Sequence, residues 1–106
     1  MRRNTQDGTS SASSDDRIQL SAGVSGRVQG VGFRYYSAAQ ARRLGLRGWV
    51  RNEPNGSVTV VCEGNRAAVR AMLDWLKEGP PAARVDHVDA RESEYRGQFR
   101  SFTIEY

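Results

Sequence analysis

The chain has 106 residues, a formal net charge of +4, 38% hydrophobic and 26% charged residues. That length supports one domain with a two-layer core, and the composition is that of an ordinary soluble globule with no apolar run approaching the roughly 20 residues of a membrane-spanning helix. Lys77 is the only lysine among 16 basic residues, so the positive excess is arginine, which suits either a nucleic acid or a small anionic substrate.

Residues 1–16 are mostly Ser, Asp, Asn and Gly, with almost nothing apolar. They predict a disordered tail, and they contain no signal-peptide core, so a cytoplasmic protein is expected. The domain then begins at Arg17, where Ile18, Leu20, Ala22 and Val24 alternate as a strand to Ser25. Gly26 to Arg34 reads G-R-V-Q-G-V-G-F-R and joins that strand to a helical pattern. Three glycines permit positive φ and leave backbone N–H groups uncovered, and the following helix points its own unpaired N–H groups at the same place, which together describe an anion cradle. The spacing is neither G-x-G-x-x-G nor a loop ending in Gly-Lys-Ser/Thr, so no dinucleotide fold or P-loop is indicated.

Phe33 to Leu44 predicts a helix whose Phe33, Tyr36, Ser37, Ala41 and Leu44 share a face, stopped by Gly45 with Leu46 behind it. Arg47 to Asn52 and Ser57 to Glu63 read as a hairpin around the turn Glu53 to Gly56. Cys62, the one cysteine, falls in phase with Val58 and Val60 and is expected to be a buried structural thiol. Asn65 caps a second helix with the stripe Val69, Met72, Leu73 and Leu76, ended by Gly79-Pro80-Pro81. In Arg84 to Arg91 the alternation slips between Val85 and Val88, the mark of a bulge, and His87 reads as a solvated strand residue. After the polar stretch Glu92 to Gln98, Phe102, Ile104 and Tyr106 alternate in a last strand.

The order predicts an α+β, ferredoxin-like β-α-β-β-α-β sandwich. Two helices lie on one face of a mainly antiparallel sheet, and an extra C-terminal strand is added with its neighbour left open. In a β-α-β unit both strand ends and the helix start meet at one edge of the sheet, so Arg34 and Asn52 converge there. Each alone has a plain reading, Arg34 as an exposed helix arginine and Asn52 as a turn residue. An anion cradle, a guanidinium and a carboxamide include no general base and no good nucleophile, so the substrate must be intrinsically reactive, as an acyl phosphate is.

The loop closely resembles the acylphosphatase signature G-x-V-Q-G-V-x-F-R, and G-W-V-R-N at Gly48 to Asn52, followed by a turn with Asn55-Gly56, resembles that family's second signature. The resemblance spans residues 17–106. It implies hydrolysis of acyl phosphates without metal or cofactor. Arg34 would bind phosphate, Asn52 would position water, and Arg27, Val28, Gln29, Gly30, Val31 and Gly32 would form the phosphate loop. It implies a small-molecule acyl phosphate as partner and no nucleic acid or membrane; a monomer is expected. Two departures stand out: Glu53, where relatives often have a small polar residue, puts an acid beside an anion site, and glycine at position 32 should loosen the loop. Two other readings share the fold order. One is an RNA-recognition module, although the first and third strands carry no aromatic for base stacking. The other is a non-catalytic accessory domain of the kind fused to carbamoyl-transferring maturation proteins.

Overall fold

The computed structural model describes residues 16–106, so the expected tail, apart from Asp16, lies outside the described residues. Asp16 itself is engaged, its carbonyl accepting from the Arg66 amide at 2.7 Å. The elements run β1 Arg17–Arg27, α1 Phe33–Arg43, β2 Arg47–Asn52, β3 Val58–Asn65, α2 Arg66–Glu78, β4 Arg84–Glu94 and β5 Phe102–Glu105. The strands form one sheet in the order β4-β1-β3-β2-β5. Every pairing is antiparallel except β2 with β5, which is parallel and supplies the neighbour of the last strand. β1 and β4 each run longer than their alternation suggests, because they pair along their whole length: β1 continues to Arg27 opposite Arg84, and β4 continues to Glu94 opposite Ile18, so Glu92 to Glu94 are strand and not loop.

One face of the sheet is apolar because β1 and β3 alternate in phase: Leu20, Ala22 and Val24 lie beside Val58, Val60 and Cys62, all buried. Both helices cover this face. The α2 stripe of Val69, Met72 and Leu76 is fully buried, with Leu73 packed at its margin, and the Asn65 side chain accepts from the Ala67 amide at 2.9 Å as the expected cap. The α1 face needs correcting. Ala38 is buried and Tyr36 is exposed, because the stripe is centred on Ser37 and swings away from position 36. Small residues along this stripe let α1 lie close against the sheet, and Phe33 supplies the bulk, its ring 5.8 Å from that of Trp75. The Ser37 hydroxyl is buried there without a partner among the described residues.

The slip in β4 is a bulge. Ser25 faces His87 and Gly26 faces Val85, which leaves Asp86 as the extra residue. Gly48, at the head of the second signature, is glycine for a steric reason: a Cβ there would stand 1.9 Å from the Val61 carbonyl oxygen, and φ is +148°. No small adjustment relieves a clash with the neighbouring strand's backbone, so β2 reaches its register beside β3 only with glycine at this position.

On the other face, the segment after β4 folds back over the sheet and is latched by Glu63. This carboxylate is 3% exposed. It accepts from the amides of Arg96 at 2.8 Å, Gly97 at 3.2 Å and Gln98 at 3.2 Å, and from the Gln19 side chain at 3.0 Å. Burying an unpaired carboxylate would cost several kcal/mol, and four donors remove most of that cost. The latch fixes the path by which the chain crosses from β4 at one edge to β5 at the other.

Candidate active site

β1 ends at Arg27, α1 begins at Phe33 and β2 ends at Asn52. β5 runs parallel to β2, with Arg51 opposite Glu105, so Tyr106 also emerges at this edge. A cleft of about 210 Å³ opens where the four meet. Gly30, Gly32 and Arg34 line one part of it, Asn52 another, and Tyr35, Ile104 and Tyr106 a third, with Val28 and Phe33 against the core. Arg34 and Asn52 therefore border a single cavity.

Gly32 is the N-cap of α1 with φ 77° and ψ 16°, a left-handed conformation that glycine adopts without a Cβ penalty. The helix receives no side-chain cap and has no acidic residue in its first turn. Its first N–H groups and the positive end of its dipole are thus open to an external anion. At Gly30 and Gly32 only backbone can face the cleft.

The other loop residues are placed differently. Arg27 is exposed, opposite Arg84 across the β1–β4 pairing, and does not line the cleft. Val31 packs against the core and Val28 is 1% exposed. The Gln29 carboxamide turns sideways and donates at 2.8 Å to the carbonyl oxygens of both Glu53 and Ser57. It thereby stitches the glycine loop to the turn that follows Asn52. That turn is braced internally, with the Asn55 side chain accepting from the Ser57 amide at 3.0 Å and from its hydroxyl at 2.7 Å. The local sequence identified the loop and the turn, and the bond between them is visible only in three dimensions.

The Arg34 guanidinium is held from behind. Its Nη1 donates to the Glu105 carbonyl oxygen at 3.0 Å, and its Cζ lies 4.8 Å from the centroid of the Tyr106 ring. One edge of the fork is occupied by the β5 backbone, and the remaining N–H groups stay available to a ligand in the cleft. The last turn of the same helix repeats the device with Arg42, whose Nε and Nη2 reach the Phe102 carbonyl oxygen at 3.2 and 2.9 Å.

Glu53, in the turn, is answered by the strand before it. Its carboxylate meets the Arg51 guanidinium at 3.1 Å, which in turn lies 4.6 Å over the Trp49 ring, and Glu53 does not line the cleft. The Thr59 hydroxyl and Arg51 hold the Glu53 carboxyl below its usual range, so it stays ionised with a cation beside it. Cys62 is no alternative nucleophile: burial, with the charge of Glu63 adding to it, pushes its thiol up to about 12. His87 is exposed on β4, at the opposite side of the sheet from β2 and β5. Among the described residues no three His, Cys, Asp or Glu side chains gather as a metal site.

Comparison with known proteins places this geometry in context. The acylphosphatase family model matches residues 20–104. An acylphosphatase of Acaryochloris marina is 53% identical over 87 residues, covering 82% of this chain and 92% of that protein. One from Anaeromyxobacter dehalogenans is 50% identical over 91 residues, covering 86% and 98%. Among solved structures, the crystal structure of acylphosphatase from Bacillus subtilis superposes with a TM-score of 0.81 at 36% identity, over 84% of this chain and 99% of that one.

Proposed function

The chain belongs to the acylphosphatase family, enzymes of acyl phosphate hydrolysis, and from that premise we propose how its own residues carry the reaction. Arg34 and the amides of the Val28 to Gly32 loop hold the phosphoryl oxygens, Asn52 orients the attacking water, and no metal ion takes part; Arg27, at the end of β1 and off the cleft, is left out of the cradle. The observation that supports this reading is that Arg34, Gly30, Gly32 and Asn52 line one cleft.

The bond to be broken joins phosphorus to the oxygen of a carboxyl group. Water attacks phosphorus, the P–O bond to the acyl group breaks, and the carboxylate leaves with the bonding electrons and needs no proton. The proton lost by the water passes to a phosphoryl oxygen of the substrate, so inorganic phosphate and a carboxylate result and no enzymic base is required. What remains for the protein is to hold the reactants in line and to meet the charge on the phosphoryl oxygens, the work of a guanidinium fork and fixed amides. The Asn52 carboxamide has both a donor and an acceptor and carries no charge, which lets it bind water beside an anion. The stitch from Gln29 keeps the phosphate loop and the Asn52 turn in fixed relation.

The reading is tested by release of inorganic phosphate from benzoyl phosphate in the presence of a metal chelator, beside p-nitrophenyl phosphate as a phosphomonoester. The expected result is chelator-insensitive turnover of the acyl phosphate with none of the ester, whose leaving group lacks the anhydride's reactivity. Loss of turnover on chelation, or comparable cleavage of the ester, contradicts it.

A further inference from the structure

Resting on that reading, we propose that the third part of the cleft, formed by Tyr35, Ile104 and Tyr106, is the subsite for the acyl half of the substrate and favours a flat aromatic acyl group over a short aliphatic one. The cleft has two chemical halves. Glycine backbone, Arg34 and Asn52 are suited to a phosphate and a water. The rest of the rim is apolar and open: Tyr35 is 67% exposed and Tyr106 96%, with Ile104 half-buried between core and solvent.

Large exposed aromatics on a small soluble domain call for an explanation, and these two stand beside an anion site. Neither belongs to the core or packs against it: Tyr35 meets only the edge of the Tyr36 ring, 5.3 Å away, and Tyr106 the Arg34 guanidinium, so most of each ring is left to solvent. Three tyrosines or other large apolar side chains are strongly exposed among the described residues, Tyr35, Tyr36 and Tyr106, and the two that line the cleft are those at positions 35 and 106. The topology puts them there from distant places: Tyr35 is in the first turn of α1, and Tyr106 follows β5, whose parallel pairing with β2 delivers it to this edge.

Tyr106 also has a fixed relation to the phosphate end, because its ring lies beneath the Arg34 guanidinium. Because Arg34 and these side chains line one cleft, the acyl half of a phosphoryl group held by Arg34 has within reach a rim that offers ring faces and edges and an aliphatic side chain. An aryl group gains offset or edge contacts there that a methyl group is too small to make. The charge of the substrate stays at the polar half, so the selection acts on the acyl group alone.

The experiment compares kcat/KM for benzoyl phosphate and acetyl phosphate in the unmodified protein and in Tyr35→Ala, Tyr106→Ala and Tyr106→Phe. The unmodified protein is expected to prefer benzoyl phosphate. Each alanine variant should lose roughly tenfold more on benzoyl than on acetyl phosphate, the size of one aromatic contact, and Tyr106→Phe should keep the preference. Equal losses on both substrates would mean that the rings serve only to seat Arg34, and would overturn the subsite, as would no loss on either. Turnover of neither substrate by the unmodified protein would overturn the function itself, an outcome distinct from either.

Discussion

Arg34→Ala is expected to lower kcat/KM for benzoyl phosphate by roughly a hundredfold or more, the effect of removing one preorganised donor from a developing anion. The expectation follows from position as well as charge. Arg34 lies where the start of α1 and the loop amides already favour an anion, and its fork is steadied by the Glu105 carbonyl and the Tyr106 ring. On the proposed reading the guanidinium meets the phosphoryl oxygens both before and during transfer, so kcat should fall and KM should rise. Arg34→Lys keeps the charge but loses the planar fork and its grip on Glu105, so it should recover only part of the activity. The fold should survive, since Arg34 is at the surface edge of α1 and contributes nothing to the buried stripe of Phe33, Ser37, Ala38 and Ala41. Circular dichroism and a thermal melt beside the kinetics check this. Activity within a few-fold of the unmodified enzyme would remove Arg34 from the site.

Asn52→Ala is expected to cost about a hundredfold in kcat with KM little changed, because a group that orients water contributes to the transition state more than to substrate binding. Steady-state rates over a range of benzoyl phosphate concentrations separate the two parameters. Asn52→Asp should be no better than the alanine variant, since it sets a negative charge against the phosphoryl group and against the approaching water's lone pairs. A rise in KM at constant kcat would instead assign Asn52 to substrate binding.

Much of this arrangement is legible in the residues because its local signals agree. Alternation in β1 and β3 places Cys62 inward, the Val69, Met72 and Leu76 stripe with Asn65 before it marks α2, and the Val85 to Val88 slip marks the bulge at Asp86. The convergence of Arg34 and Asn52 follows from the connectivity of a β-α-β unit once those elements are assigned. The parts that escape are made by contacts between segments far apart in the chain. Nothing near Phe102 to Tyr106 states that its partner is β2, so the roles of Glu105, Ile104 and Tyr106 at the cleft are invisible until the parallel pairing is seen. Nothing near Glu63 in the chain marks it for burial, which depends on the amides of Arg96 to Gln98 folding over it. Tyr36 fits the helical spacing as well as Ala38 does, and the choice between them is made by how closely α1 approaches the sheet. The acid at position 53 looks adverse in the sequence and is offset by Arg51, two residues back at the end of β2.

The most direct test of the account is where the oxygen of the attacking water goes. Hydrolysis of benzoyl phosphate in water enriched in oxygen-18, with chelator present, is expected to place the label in inorganic phosphate and leave benzoate unlabelled, as the proposed attack at phosphorus requires. Label in the benzoate carboxylate would locate the attack at the acyl carbon and contradict it.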